Sequence, residues 1–215
     1  MSTITTTTTT TAAISPSTRR ATSIAVAMIH IIRVMSARAA SIAITTMVAD
    51  MGVTTGRPVT ASNITTGIAA IKIDAAAIGN SLTIVGNNGA NTLIGTAFAD
   101  VFDGNNGNDI LTGGAGADNF VFSSQPNSTS NKDTITDFQS GSDVLHFSLN
   151  LFTGLGTNPG NLASEQFWSA ANAVTAHDAD DRLIYNTTSG GLYYDQDGLG
   201  GNPAIQIALL GTTVH

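Results

Sequence analysis

The chain has no cysteine and is poor in aromatic and charged residues. The absence of cysteine from all 215 residues excludes a disulfide framework. A chain of this length can bury a core, but aromatic residues make up only 6% of it, so bulky side chains alone do not account for that core. We therefore expect another kind of stabilising interaction to hold the fold together.

Basic residues are almost missing from most of the chain. Beyond residue 73 there are only Lys132 and Arg182, against fourteen acidic residues, whereas residues 1–73 carry six basic residues and one acid. The acidic part would repel phosphate groups, which argues against a nucleic-acid partner. Cations are its natural counterpart.

Long apolar runs are missing as well. Within the apolar segment 21–49, the longest stretch without a charge or a histidine is residues 39–49. That stretch is far shorter than the roughly 18 to 20 residues that a membrane span needs. We expect no membrane-spanning helix.

Residues 1–63 show no periodic pattern that predicts a packed element. The threonine-rich beginning predicts disorder, and residues 21–49 are either a weak helix or a non-native segment from a wrong start or a shifted reading frame. Two arginines before an apolar run resemble a secretory signal, but a histidine and an arginine interrupt that run. The prediction is a disordered or weakly helical N-terminal region.

Motifs of catalysis are also missing. The chain has no HExxH pair, no GxSxG elbow and no nucleotide-binding fingerprint, and Glu165 is its one glutamate. Its four histidines form no metal-binding pair in the sequence: His30, His146, His177 and His215. We predict that the protein is not an enzyme.

Glycine, by contrast, is plentiful, and part of it recurs at a fixed spacing. Nine-residue units begin at Gly86, Gly95, Gly104 and Gly113. The units read GNNGANTLI, GTAFADVFD, GNNGNDILT and GGAGADNFV. Their sixth positions hold Asn91, Asp100, Asp109 and Asp118, and their eighth positions hold Leu93, Phe102, Leu111 and Phe120. Four units in one phase indicate a repeat architecture.

Each unit combines a turn with a short strand. Glycine or asparagine at positions one and four tolerates the positive φ angles of a tight turn and lets backbone carbonyls crowd together. The apolar eighth residue points inward from the strand, and stacked units bury a continuous core.

Stacking also places the sixth-position carboxylates in a column, where they repel one another unless a cation lies between them. Ca²⁺ suits this column because it accepts six to eight oxygen ligands in flexible geometry. Zinc would require histidine or cysteine, which the repeats lack, and magnesium prefers a rigid octahedron. A carboxylate that only caps its own turn is the alternative without metal.

The pattern resembles the RTX family of calcium-binding nonapeptide repeats, GGxGxDxUx. The resemblance implies a parallel β-roll with two units per turn, in which Asp100 shares a calcium ion with Asp118, and Asn91 with Asp109. The glycines that match the family's turns are Gly104, Gly107, Gly113, Gly114 and Gly116. Asn91 replaces an acid and Phe98 replaces a turn glycine, so we expect weaker or partly occupied sites in the first two turns.

The segment KDTITDFQSGSDVLHFS resembles the capping strands that follow the roll in secreted RTX proteases and lipases. Asp133, Asp137 and Asp143 match acidic positions of that segment, and Asp133 is the best further ligand. For the other two, hydrogen bonding at turns and strand ends is an equal alternative. His146 replaces an acid, so we expect a solvated histidine there.

Residues 181–211 read as three strands joined by turns, again like a C-terminal RTX cap. Asp195–Gly198 is either a short calcium loop or a hairpin turn, and the lack of later acids favours the turn. We interpret residues 163–174 as a helix that plugs the end of the roll, with Phe167 and Trp168 in the core.

The sequence therefore predicts an all-β protein with a parallel β-roll of calcium-binding nonapeptide repeats and a β-rich C-terminal cap. The expected regions are residues 1–63, the roll at 64–122 with its best repeats at 86–121, and the cap at 123–215. The predicted calcium ligands are Asn91, Asp100, Gly104, Gly107, Asp109, Gly113, Gly114, Gly116, Asp118 and Asp133.

The predicted function is non-catalytic calcium binding by a secreted, extracellular monomer that folds when calcium binds. The family resemblance implies export by a type I secretion apparatus. Two alternatives stay open: a C-terminal module of a larger secreted protease, lipase or epimerase, and a cell-surface or matrix interaction protein.

Overall fold

The computed structural model describes residues 68–210, and these form an all-β fold, as predicted. Their only helical segments are two 3-10 turns, Thr153–Leu155 and Ser164–Gln166. None of the helical segments in this part of the chain is long and apolar enough to cross a membrane. The predicted disorder or weak helix of residues 1–63 lies outside the described residues. The strands are β1 (Lys72–Asp74), β2 (Thr83–Val85), β3 (Thr92–Ile94), β4 (Val101–Asp103), β5 (Ile110–Thr112), β6 (Asn119–Phe122), β7 (Asp133–Ile135), β8 (Val144–Phe147), β9 (Phe167–Ala170), β10 (Leu183–Asn186), β11 (Gly191–Tyr194) and β12 (Ile205–Leu210).

The first eight strands alternate between two parallel sheets and thereby wind the chain into a roll. Odd-numbered strands β1 to β7 pair in one sheet, and even-numbered strands β2 to β8 pair in the other. Leu93 pairs with Leu111 and Phe102 pairs with Phe120, so strands that are two units apart are neighbours. One coil of the roll therefore consists of two nonapeptide units, which confirms the predicted arrangement.

The core of the roll is a column of leucines facing a column of phenylalanines. Strands β1 to β5 each bury their middle side chain, because side chains alternate between the two faces of a strand. Leu93, Phe102 and Phe120 are fully buried, and the rings of the two phenylalanines stack with their centroids 5.2 Å apart. Full burial of such a side chain stabilises the fold by about 1.5–3 kcal/mol.

The roll continues beyond the repeats for one more coil. Ile135 in β7 pairs with Leu111, and Leu145 in β8 pairs with Phe120. Strand β12 then pairs in parallel with β7, with Ala208 opposite Asp133. This pairing joins the cap to the roll in one eight-stranded sheet.

The cap has the three predicted strands, which are β10, β11 and β12 in an antiparallel arrangement. The helix predicted for residues 163–174 is wrong, because Phe167–Ala170 forms strand β9 on the free edge of β10. Backbone pairing with that edge overrides the weak helical preference of the segment. Phe167 is 44% exposed and Trp168 is only half-buried, so the predicted core role of these aromatics is wrong too.

Candidate metal centre

The turns of the repeats lie on two edges of the roll. Because successive strands belong to opposite sheets, turns 86–91 and 104–109 share one edge, and turns 95–100 and 113–118 share the other. The sixth residue of each unit ends the turn, and all four are at most 1% exposed: Asn91, Asp100, Asp109 and Asp118. Carboxylates buried to this degree need hydrogen-bond donors or a cation.

Along the first edge, each of these side chains accepts a hydrogen bond from the preceding coil. Oδ1 of Asp109 accepts the backbone N–H of Asn91 at 2.7 Å, and Oδ1 of Asp133 accepts that of Asp109 at 3.0 Å. Oδ1 of Asn91 accepts the N–H of Ile71 at 3.3 Å. Asn91, Asp109 and Asp133 therefore stand in one column, which we call the first column.

The second edge repeats this arrangement. Oδ1 of Asp118 accepts the N–H of Asp100 at 2.8 Å, and Oδ1 of Asp143 accepts that of Asp118 at 3.0 Å. Oδ1 of Asp100 accepts the N–H of Leu82 at 2.6 Å. Asp100, Asp118 and Asp143 form the second column.

Both residue pairs that the family resemblance assigns to a shared ion are thus neighbours in a column. Asn91 lies on the same edge of the roll as Asp109, and Asp100 lies on the same edge as Asp118. Their use as ligands stays a prediction.

The second oxygen of Asp109 is buried and has no hydrogen-bond donor. Burial raises the pKa of Asp109 from 3.8 to about 7. Burial, followed by the negative charge of Asp109, raises the pKa of Asp133 to about 8. These two carboxylates are both stable as anions only when a positive charge lies beside them.

Asp118 is subject to the same effect on the second edge. Its pKa rises to about 6, mainly through burial, and the charges of Asp143, Asp100 and Asp137 add to the rise. Acidic groups thus accumulate toward the C-terminal end of both columns.

The first glycine of a unit leaves room for the carboxylate at the end of that unit. A Cβ atom on Gly104 would overlap Oδ2 of Asp109, and one on Gly113 would overlap Oδ2 of Asp118. Glycine at these two positions is therefore required by packing against the carboxylates rather than by backbone conformation.

Other turn glycines are required by backbone conformation. Gly107, Gly114 and Gly116 have φ angles of 127°, 97° and 133°, which are unfavourable for other residues. Each also lies against the backbone of the preceding coil, since a Cβ on Gly107 would be 2.5 Å from the carbonyl oxygen of Gly89. These contacts bring carbonyl oxygens of successive coils together at each edge.

The acids after the repeats differ in what they bind. Asp137 accepts the N–H of Gly113 through Oδ1 and that of Gly114 through Oδ2, both at 2.9 Å. Asp143 accepts a backbone N–H on each oxygen, from Asp118 and from Gln139 at 2.8 Å. Both therefore serve as hydrogen-bond acceptors in the structure. This is the role that the sequence analysis gave as the alternative to metal binding.

The turn 95–100 is closed in a way that the sequence did not suggest. Phe98 stands at a turn-glycine position, and its N–H donates to Oγ1 of Thr96 at 3.0 Å. The N–H and the hydroxyl of Thr96 both donate to Oδ2 of Asp100, at 2.6 Å and 2.9 Å. A threonine four residues before a buried aspartate was the signal that could have indicated this contact.

Two residues outside the columns, His146 and Asp195, were also singled out from the sequence. His146 is exposed, as predicted, and its Nε2 lies 2.9 Å from Oδ1 of Asn119. Asp195 accepts the N–H groups of Asp197 and Gly198, as in a hairpin turn.

A further cluster lies in the loop between β9 and β10 and was not singled out from the sequence. One potential ligand atom from each of His177, Asp178 and Asp181 lies within 4.8 Å of the others. Oδ2 of Asp181 already accepts the N–H groups of His177 and Asp178, so this carboxylate closes the loop.

The potential ligand atoms at the edges of the roll fit a calcium ion. They are oxygens, from buried carboxylates and from backbone carbonyls such as those of Gly89 and Gly104. Calcium prefers several oxygen ligands of this kind, whereas zinc prefers nitrogen and sulfur, and residues 86–121 contain no histidine or cysteine. The buried, unpartnered Oδ2 of Asp109 shows where positive charge is needed.

Comparison with protein families agrees with this chemistry. Residues 85–120 match the family model of the RTX calcium-binding nonapeptide repeat in four copies. Comparison with curated proteins and with solved structures finds no match to the chain. The repeats are therefore RTX repeats, which are calcium-binding, and the resemblance drawn from the sequence is confirmed.

Proposed function

We propose that the RTX repeats make this protein a calcium-binding β-roll whose folding depends on the ion. The observation that carries the proposal is the pair Asp109 and Asp133. Both are buried, their pKa values are raised to about 7 and about 8, and Oδ2 of Asp109 has no donor. A buried carboxylate pair of this kind opposes folding at neutral pH unless a cation neutralises it.

Calcium would be held by carboxylates from successive coils and by the carbonyls of the turns between them. The residues that we propose as ligands in the C-terminal half of the roll are Asp109, Asp118 and Asp133, with carbonyl oxygens of Gly104, Gly107, Gly113, Gly114 and Gly116. Bound calcium supplies positive charge and polarises no substrate in this proposal. Its binding energy adds directly to the free energy of unfolding.

Secretion follows from the calcium concentration that such sites require. Extracellular calcium modules work at about 10⁻⁴ to 10⁻³ M, far above cytosolic levels. In our proposal the roll stays largely unfolded inside the cell, leaves through a type I apparatus and folds outside as a monomer. A tagged chain should reach the medium only when the exporter is present; retention in exporter-positive cells would contradict this route, and sedimentation velocity tests the monomer.

A non-catalytic role is supported by how the carboxylates are enclosed. Asp109 and Asp118 are each 1% exposed beneath the turn glycines, so no substrate reaches them. The alternative of a C-terminal module in a larger secreted enzyme keeps the same calcium chemistry and places catalysis outside residues 68–210. Translation of the neighbouring genomic sequence in all frames separates these two arrangements.

The experiment that tests the function is a calcium titration of the full chain after treatment with a chelator. We expect circular dichroism to report a gain of β-structure and calorimetry to report saturable heat. Magnesium at the same concentration serves as the control and should give neither signal. A chelated chain that already melts cooperatively and produces no heat on calcium addition would falsify the proposal.

A further inference from the structure

Asn91 presents a nitrogen where the next coil presents an oxygen. The side chains of Asn91 and Asp109 occupy the same place in their units, and each accepts a backbone N–H from the preceding coil through Oδ1. The remaining atom is Nδ2 in Asn91, which donates hydrogen bonds, and Oδ2 in Asp109, which is buried without a donor. The two coils therefore have opposite chemistry at the same point.

The nitrogen of Asn91 is surrounded by oxygen atoms. Nδ2 lies 2.6 Å from the carbonyl oxygen of Gly89, 3.0 Å from that of Asn87 and 3.3 Å from that of Gly104. It also lies 2.9 Å from Oδ1 of Asp109 in the following coil. The opposite amide orientation would turn an oxygen toward these four acceptors and the nitrogen toward a backbone N–H. The surroundings therefore place the nitrogen on the inside.

This group of oxygens has the composition of a calcium shell. Three backbone carbonyls and one carboxylate, contributed by two successive coils, lie within 3.3 Å of one point. The point is taken by an amide group, whose hydrogens carry partial positive charge. The amide hydrogens of Asn91 thus supply part of the positive charge that a bound cation would supply.

Thr96 does the same on the other edge. Its hydroxyl oxygen lies 2.9 Å from Oδ2 of Asp100 and 3.4 Å from the carbonyl oxygen of Phe98, and its N–H donates to that same Oδ2. Since Oδ1 of Asp100 accepts the N–H of Leu82, both carboxylate oxygens have donors from the chain. The corresponding residue of the last unit is Gly114, which has no hydroxyl and gives its N–H to Asp137.

We infer that the coil formed by residues 86–100 is closed by its own donors and binds no calcium, so that ions bind only in the coils that follow. The inference rests on the proposed calcium function and narrows it. It removes Asn91 and Asp100 from the ligand set that the family resemblance implies. The carboxylate ligands that are left are Asp109 and Asp133 on the first edge and Asp118 on the second. The coil of residues 86–100 is then independent of calcium, and the calcium-dependent coils assemble on it.

The test is the variant Asn91→Asp in the full chain, compared with Asn106→Asp. The first change replaces the inner amide with a carboxylate. The second adds the same charge at an exposed asparagine of the next turn, whose amide donates a hydrogen bond to Asn88. We expect Asn91→Asp to bind one more calcium ion per chain than the wild type and to unfold at lower denaturant concentration in chelator. Asn106→Asp should change neither quantity.

Hydrogen exchange of the wild type provides a second measurement that needs no variant. In chelator, we expect the amides of residues 86–100 to remain more protected than those of residues 104–118, and calcium should protect the second group far more than the first. Equal protection of the two groups in chelator would overturn the inference.

The remaining outcomes are also decisive. If the wild type binds calcium but Asn91→Asp binds the same number of ions, or does not fold at saturating calcium, the inference is wrong and the proposed function stands. If the wild type itself binds no calcium, the proposed function fails first. Measuring the stoichiometry of the wild type and both variants by equilibrium dialysis distinguishes these cases.

Discussion

The backbone N–H of Asp109 donates to Oδ1 of Asp133 across 24 residues of sequence, at 3.0 Å. Within the repeats, the same contact joins Asn91 to Asp109 across 18 residues. The column of side chains therefore continues into a coil that lies beyond residues 85–120, where the family match ends. The coil that follows the repeats is therefore part of the candidate site, because its Asp133 forms with Asp109 the carboxylate pair that needs a cation.

Replacement of Asp109 by alanine should raise the calcium concentration required for folding. The change removes a carboxylate from the first column and leaves Asp133 without its partner on the ion. We expect the calcium midpoint to rise about tenfold or more, which corresponds to roughly 1.4 kcal/mol of binding free energy. Circular dichroism across a calcium titration measures the midpoint. Asp180→Ala, an exposed acid in the cap, is the control and should leave it unchanged.

Without calcium, the roll should become less stable as the pH rises. The pKa values of Asp118, Asp109 and Asp133 are about 6, about 7 and about 8 in the folded chain, all above the ordinary 3.8. A carboxyl group with a raised pKa favours the folded state while it is protonated, and this stability is lost as the pH passes through the raised value. In chelator, we expect the urea midpoint to fall between about pH 5 and pH 8.

Calcium should reverse this pH dependence, because the ion binds the charged carboxylates and releases their protons. The apparent calcium affinity is then expected to increase from pH 5 to pH 8. Urea unfolding in chelator and in saturating calcium, measured at both pH values, checks the two slopes. A urea midpoint in chelator that is flat or rises with pH would argue against buried carboxylate pairs.

Gly104→Ala should destabilise the roll even though the backbone of Gly104 has no positive φ angle. An added Cβ would overlap Oδ2 and Cγ of Asp109, whose side chain is buried. Overpacking of this kind costs about 1–3 kcal/mol. Gly79→Ala is the matched control, since a Cβ there meets no atom within 4 Å. Equal urea midpoints for the two variants would contradict the predicted packing.

Much of the roll could be predicted because the period of the sequence determines its geometry. A fixed spacing of nine residues determines which residues share a strand position, so Leu93 and Phe102 could be assigned to the core and Asp109 to a column. The confirmed parts are those in which each unit repeats the information of its neighbours.

The parts that could not be predicted depend on single contacts between distant segments. Strand β9 forms because β10 offers a free edge, and nothing within residues 163–174 encodes that partner. The donors that Asn91 and Thr96 supply follow from how side chains turn inside a closed coil. The sequence pattern identified Asn91 only as a departure from the repeat and did not single out Thr96.

Asp137→Ala should weaken the end of the roll without changing the number of calcium ions. Its two oxygens accept the N–H groups of Gly113 and Gly114, and loss of such an acceptor costs about 1–3 kcal/mol. We expect a lower urea midpoint in saturating calcium with the wild-type stoichiometry. Ser140→Ala changes an exposed residue of the same loop and should match the wild type. Because Asp137 faces the turn through both oxygens, a lost calcium ion in the Asp137 variant would show that it is a ligand rather than a backbone acceptor.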